Sequence, residues 1–313
     1  MKNGFHQPVL AGEAANYLIT NKEGIYVDCT LGGGGHSLYF LKILSPSAFL
    51  IGLDADAEAI HHTSAKLADY TNTYFKQAFF DQIEIVLYEV DKLPVDGVFY
   101  DLGLSSFQVD QQRRGFSYQI EGPLDMRFNQ QQQKTAGDVL NHYSQEELER
   151  IIREFGEERH WRAISREIVL RRQGNELKHT SELADIVRSV VGERYLNKSL
   201  SRVFQALRIE VNQELKRLPE SLDIAFQLLK KGGRMVAISY HSLEDRIVKT
   251  FMREKICDCL CPPQFPACVC DKVQEAKLLT RRVVRPQSDE VEKNVRARSA
   301  RLRAIEKIVP YQN

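Results

Sequence analysis

IYVDCTLGGGGHSLYFLKIL, residues 25–44, passes from an apolar run through four consecutive glycines into an amphipathic stretch, and its reading decides the fold. IYVDC at 25–29 has the length of a buried strand, whereas HSLYFLKIL at 36–44 carries apolar residues at helical spacing. Between them the loop DCTLGGGGHS, 28–37, lacks Cβ atoms at its glycines, so its backbone can approach a ligand closely at the carboxyl edge of a sheet. Working outward, AFLIGLD (48–54), TYFK (73–76) and GVFYDL (97–102) predict three more strands. AEAIHHTSAKLADY (57–70) and FDQIEIVLYEV (80–90) predict helices between them. Strands alternating with crossover helices predict a doubly wound, parallel α/β sheet.

Near residue 112 the pattern changes. RRGFSYQIEGPLDMRFNQQQQ is polar, carries Gly115, Gly122 and Pro123, and reads as a long loop. From Ser144 to about Val191 the chain is charge-rich and helical, suited to solvated helices with i,i+4 pairs. The α/β pattern resumes with the helix PESLDIAFQLLK and a fifth strand, RMVAIS (234–239), separated by a Lys-Gly-Gly turn at 231–233. The reading is an α/β domain of residues 1–115 and 205–313 with a helical domain, 116–204, inserted as a substrate-recognition element.

The chain has 313 residues, 43% hydrophobic and 27% charged, enough to bury a sizeable core and to exclude a wholly disordered protein. Lys and Arg number 43 against 42 Asp and Glu, so nucleic acid is not bound through net charge alone. The charge is uneven, however: residues 271–313 hold 11 basic against 6 acidic side chains, a local excess of +5. MKNGFHQPVL lacks the basic segment and apolar run of a signal peptide, and no long apolar run follows. These features predict a cytoplasmic protein with no membrane partner.

Asp54 ends the second predicted strand, where an acid can accept hydrogen bonds from both ribose hydroxyls of an adenosine-containing cofactor. An ordinary helix-capping role fits Asp56 better. The glycine loop does not match the G-x-G-x-x-G of pyrophosphate binders, and no G-x-x-x-x-G-K-[ST] string is present, which disfavours nicotinamide dinucleotides and ATP. Asp28, just before the glycines, suggests a cofactor bearing a positive amino group, as S-adenosylmethionine does.

Five further strings share one order along the chain: DLGLSSFQVD (101–110) with RGFSYQIEGPLDMRF (114–128), FQALRIEVNQEL (204–215), SYHSLEDRIVK (239–249) and NVRARSARLR (294–303). Together they resemble the bacterial small-subunit (16S) ribosomal RNA cytosine-N4 methyltransferase family. The resemblance implies a class I, Rossmann-like methyltransferase domain with an inserted helical domain, S-adenosylmethionine as donor, and a P-site cytosine of 16S rRNA as acceptor. It further implies that Gly34, Gly35 and His36 hold the methionine part of the cofactor, Asp54 its ribose and Phe80 its adenine, with Asp101 and Gln108 completing the site. Two positions depart from the family pattern: Phe107 stands for the proline of DLGVSSPQ and Val295 for that of NPRSRS.

Methyl transfer to cytosine N4 requires nucleophile, methyl and sulfur in line with water excluded. The amine lone pair is delocalised into the ring, and an acceptor on its N–H favours the form that attacks. Asp101 is the candidate acceptor. A base extruded from its stack would be received by Ser105, Ser106, Asp125, Arg127, Tyr240 or His241. Set against these roles, Asp125 and Arg127 can form a simple loop salt bridge, and Glu244, Asp245 and Arg246 can simply open a helix. Arg296, Arg298, Arg301 and Arg303 suit phosphates; their alternative is a sheet-edge strand with a solvated basic face.

Cysteines at 257, 259, 261, 268 and 270 are dense enough for zinc, but one-residue gaps differ from the two to four usual between paired ligands. Reduced thiols in a proline-rich loop are the favoured reading, with no metal assigned. A non-catalytic RNA-binding or ribosome-assembly factor retaining the fold is the competing function; the glycine loop, Asp54 and Asp101 argue against it. The oligomeric state, a homodimer included, stays open.

Overall fold

A computed structural model describes residues 8–109, 111–259, 261 and 269–312. The chain divides into two compact units, Met1–Gly103 with Leu215–Asn313, and Leu104–Glu214.

The first unit is built on a seven-stranded sheet ordered β3-β2-β1-β4-β5-β7-β6. Its strands are β1 (Ile25–Asp28), β2 (Phe49–Asp54), β3 (Thr73–Gln77), β4 (Val95–Asp101), β5 (Leu229–Ser239), β6 (Ala276–Leu278) and β7 (Arg301–Lys307). Pairing is parallel from β3 through β5, while β7 runs antiparallel to both β5 and β6. Chain order reverses between β1 and β4, the switch point beside which α/β sheets hold ligands at their carboxyl edge. This is the class I methyltransferase arrangement.

Alternate residues along each central strand enter opposite cores, as the two-residue period of a strand requires. Tyr26, Leu50, Phe99, Val236 and Ile238 join one core; Val27, Ile51, Val98, Tyr100, Met235 and Ala237 join the other. Helices cover both faces, so the strands read as continuous apolar runs. Four of this unit's helices are α1 (Ala11–Leu18), α2 (Gly35–Leu41), α3 (Ala57–Lys66) and α4 (Ile83–Glu89).

The second unit lies in sequence between β4 and β5. It contains α5 (Ser106–Val109), α6 (Ala136–His142), α7 (Gln145–Glu154), α8 (Trp161–Arg172), α9 (Thr180–Val191) and α10 (Leu196–Asn212). Thr135 and Ser144 cap α6 and α7 through reciprocal bonds with Asp138 and Glu147. Leu140, Ile151, Ile164, Val187 and Val203 share one buried cluster. The long loop is braced by the buried Arg114, whose Nη2 donates to the carbonyls of Arg127 (2.8 Å) and Phe128 (3.1 Å). The boundaries 115/116 and 204/205 read from sequence both fall inside this unit, and α10 runs unbroken across residue 204.

After it, the chain forms α11 (Glu214–Leu228), α12 (Ser242–Ile256) and α13 (Ser288–Lys293). Two details differ from the sequence reading. Helix α11 starts ahead of Pro219, which lies inside it rather than at its first position. The Lys-Gly-Gly segment is a bulge within β5 and not a turn before it: Val95 pairs with Leu229 and Gly97 with Arg234, so residues 230–233 arch opposite Asp96. Gly232 takes φ +82° there, a conformation that glycine adopts without strain. Lys230 forms an ion pair with the buried Asp96 beneath the arch.

Candidate active site

The carboxyl ends of β1, β2 and β4 are tied together by the loop that follows β1. The amide of Leu31 donates to Leu53 O (2.8 Å), that of Gly32 to Asp54 Oδ2 (2.7 Å), and that of Asp101 to Thr30 Oγ1 (2.6 Å). From α3, Thr63 Oγ1 donates to Gly32 O at 2.8 Å and Lys66 Nζ to Gly33 O at 2.6 Å. Gly34 opens α2 at φ +67°, and a Cβ there would lie 2.5 Å from Thr63 Cγ2, so no larger residue fits. A Cβ at Gly33 would meet nothing within 4 Å; its side of the loop faces open space.

Asp54 accepts from the amides of Gly32 and of Asp56 (2.9 Å). Burial nevertheless pushes its carboxyl up to about 7, against the two amides that favour the charged form. Asp56 caps α3, as expected. Phe80 follows β3 in a short 3₁₀ turn, half-buried and edge-on to Tyr100 with ring centroids 6.2 Å apart. A carboxylate at the end of β2, an open glycine and an aromatic face after β3 fit an adenosine-bearing cofactor. Asp28 does not face such a ligand. It is buried, accepting from Ser37 Oγ (2.7 Å) and the Thr30 amide (3.1 Å), so it shapes the loop instead of meeting an amino group.

At the end of β4, Asp101 joins three elements. Its Oδ1 accepts from the Tyr240 hydroxyl at 2.8 Å, and its Oδ2 lies 3.3 Å from His36 Nδ1. The other ring nitrogen of His36 is 2.9 Å from Val9 O. Burial alone would lower the His36 pKa, yet the Asp101 carboxylate and the Val9 carbonyl together hold it above its ordinary value. With both nitrogens facing acceptors, the ring is a donor on both sides. His36 is thus a buried support for Asp101, and its ring is committed to protein rather than to methionine. Burial and the neighbouring acid push the Tyr240 phenol well up, which keeps it a hydrogen-bond donor. Asp101 remains 25% exposed, with two of its lone-pair sites taken.

Other expected residues have different duties. His241 is nearly buried and caps α12: Glu244 N donates to Nδ1 at 3.4 Å while Nε2 lies 2.9 Å from Glu244 Oε1, so both ring nitrogens are turned onto Glu244 of its own helix. Arg301 and Arg303 form no free arm or sheet edge. β7 is flanked by β5 and β6, and the two side chains reach Asp245 at 3.2 and 2.8 Å, holding its carboxyl below the usual range against its burial. Arg296 and Arg298 lie exposed on the 3₁₀ turn Val295–Ser299.

In the second unit, Arg127 Nε and Nη2 grip Asp125 (3.1 and 2.7 Å) while Nη1 donates to the carbonyls of Gln130 (3.2 Å) and Gln132 (2.5 Å). The pair braces its loop, which corrects the expectation of an Arg127 turned toward RNA. Ser105 Oγ accepts from the Gln108 amide and Gln108 Oε1 from the Ser105 amide, each at 3.2 Å, so these two close a capping box on α5. Gln108 itself is buried. Thr30, Thr63, Lys66 and Val9 were not singled out from the sequence. Each acts through a partner that only the folded sheet brings near.

The family model described as the MraW methylase family matches residues 3–308. The chain belongs to the MraW methylase family. Its similarity to curated relatives runs nearly end to end. It is 45% identical to a ribosomal RNA small subunit methyltransferase H of Caldicellulosiruptor saccharolyticus, covering 97% of this chain and 99% of that protein. The enzyme of the same name from Carboxydothermus hydrogenoformans is 47% identical, covering 97% and 98%. An rRNA methylase structure from Streptococcus thermophilus aligns with a TM-score of 0.43 and 12% identity over 96% of this chain and 94% of that one. Among the described residues of this MraW chain, no helix is long and apolar enough to cross a membrane.

Proposed function

We propose that this chain transfers a methyl group from S-adenosylmethionine to the exocyclic N4 amine of a cytosine in the small-subunit (16S) rRNA, near the ribosomal P site. The convergence of the open glycine loop, Asp54 and the part-exposed Asp101 on one sheet edge carries the reading. The relatives' names supply the RNA. When bound, the cofactor offers a methyl carbon made electrophilic by its sulfonium. Asp54 would hold the ribose hydroxyls, the glycine loop would take the amino-acid part, and Phe80 would offer its ring to the adenine. Asp101, fixed by Tyr240 and His36, accepts from the amine N–H and localises the lone pair on nitrogen. Ribosomal RNA from cytoplasm of cells lacking the protein should lose one N4-methylcytidine by nucleoside mass spectrometry; an unchanged nucleoside profile would refute the assignment.

We assign RNA recognition to the second unit. Its open pocket of about 630 Å³ is lined by Gln111, Arg113, Glu121 and His179 among others, offering donors and acceptors to the edges of unstacked bases. Arg296 and Arg298 are the tail residues assigned to phosphates. Replacing each with Gln should flatten the log-log salt dependence of RNA binding by about 0.7 to 0.9 per contact. Arg303→Gln should instead leave that slope unchanged and lower stability by about 1 to 3 kcal/mol, because Asp245 loses a charged donor. Salt titrations beside thermal melts check both; a flattened slope for Arg303→Gln would contradict the division of roles.

Cofactor binding should depend on pH through Asp54. The ribose hydroxyls donate to the charged carboxylate, so binding lowers its pKa from about 7 and releases a proton. Affinity then rises with pH up to the free-protein value and levels above it. Between pH 8 and pH 6, binding of 5′-methylthioadenosine, which carries the nucleoside without the amino acid, should weaken about tenfold. Calorimetry should show this trend in the native chain and a flat profile in Asp54→Asn. A flat native profile would count against the ribose assignment.

A further inference from the structure

We propose that Cys259, Cys261 and Cys270 form a binding site for one zinc ion. Their sulfurs all lie within 4.8 Å of one another, and those of Cys259 and Cys270 are 3.9 Å apart. That separation is far beyond a sulfur–sulfur bond of about 2.05 Å. It matches the roughly 3.8 Å between two sulfurs that share a tetrahedral zinc at about 2.3 Å each. The one-residue gap that argued against zinc in the sequence does not keep these sulfurs apart. Cys259 and Cys261 are not laid out along a strand; the Cys261 amide donates to Cys259 Sγ at 3.4 Å, folding the two side chains together. Cys270, further along the chain, then completes the triangle.

Main-chain donors suit sulfurs that carry negative charge. Besides the Cys261 amide, Val269 N donates to Cys261 Sγ at 3.3 Å, and such outer bonds orient thiolate ligands and stabilise their charge. Cys257 does not belong to the triangle, since its Sγ donates to Cys259 O at 2.7 Å. Three protein ligands leave a fourth tetrahedral position for another donor. The ion would have a structural duty. The cluster lies between the end of α12 and β6, where the Glu275 amide donates to Lys255 O at 2.9 Å and the two side chains pair at 3.0 Å. Zinc would pin a segment whose base is already closed. Cys268 lies outside the described residues.

The full-length chain, purified in reductant without added metal and then titrated with Co²⁺, tests the site directly. The expected result is one cobalt per chain with intense thiolate-to-metal charge-transfer bands, lost on adding one equivalent of Zn²⁺. Cys259→Ser and Cys270→Ser should each abolish the tight stoichiometric binding. 5′-methylthioadenosine affinity, measured on the same samples, should stay within twofold and shows that the variants are folded. Because the native chain alone gives the spectrum, a variant that fails to fold does not blunt the test. Cobalt spectra without thiolate bands would overturn the proposal. So would a disulfide between these cysteines in the reduced protein, or the chromophore of an iron–sulfur cluster.

Discussion

Asp101→Asn is expected to lower methyl-transfer turnover by about 10² to 10³-fold, with the protein still folded. The substitution keeps the size of the side chain and removes the charge that two donors are built to meet. Tyr240 lies 139 positions away in sequence and His36 comes from α2, yet both reach this one carboxylate, at 2.8 and 3.3 Å. An amide presents one acceptor and one donor, so its NH₂ group would face either the hydroxyl or the ring N–H, and the acceptor aimed at the amine is lost. Tyr240→Phe is the companion variant. It removes one supporting bond and should cost about two- to tenfold in turnover, with cofactor affinity unchanged, as befits a positioning residue. Single-turnover kinetics with saturating RNA would separate these effects. Should Asp101→Asn retain turnover and lose only cofactor affinity, Asp101 serves the cofactor and not the amine.

Asp54→Ala is expected to weaken S-adenosylmethionine binding by about 1.5 to 3 kcal/mol, roughly ten- to 150-fold. Two losses contribute. The ribose hydroxyls lose a charged acceptor, and the amides of Gly32 and Asp56 lose the carboxylate that holds the loop against β2. Asp54→Asn separates them in part, because its amide oxygen can still accept from one main-chain N–H while the charge is gone. Calorimetry at pH 8, where the native carboxylate is ionised, gives the cleanest comparison. Unchanged affinity in both variants would remove Asp54 from the cofactor site.

Much of the sheet was legible because its signal is local. The runs at 25–29, 48–54, 73–76 and 97–102 became β1 to β4, since strands buried on both faces need only be apolar and short. The course of β5 was not legible. Lys-Gly-Gly punctuates a sequence whether it makes a turn or a bulge, and only the pairing of Val95 and Gly97 with Leu229 and Arg234 decides. Pro219 misled in the same way, its favoured place at the start of a helix concealing the turn before it.

At the site, the glycine loop and Asp54 were readable because strand, loop and helix are contiguous. Partnerships across the fold were not. Nothing near Arg303 in sequence announces Asp245, 58 positions away, and nothing near His36 announces the Val9 carbonyl. A basic residue looks the same on paper whether it meets phosphate or a carboxylate of its own chain. The burial of the partner, 13% exposed for Asp245, is what distinguishes them.

The most direct measurement incubates the purified protein with S-adenosylmethionine carrying a labelled methyl group and small ribosomal subunits from cells that lack the protein. Nucleosides from the recovered RNA are then resolved by mass spectrometry. The predicted result is label in N4-methylcytidine, one per 16S molecule at completion, with none after substitution of Asp54 and Asp101 together. Label in another nucleoside, or no transfer by a protein that binds the cofactor, would contradict the account.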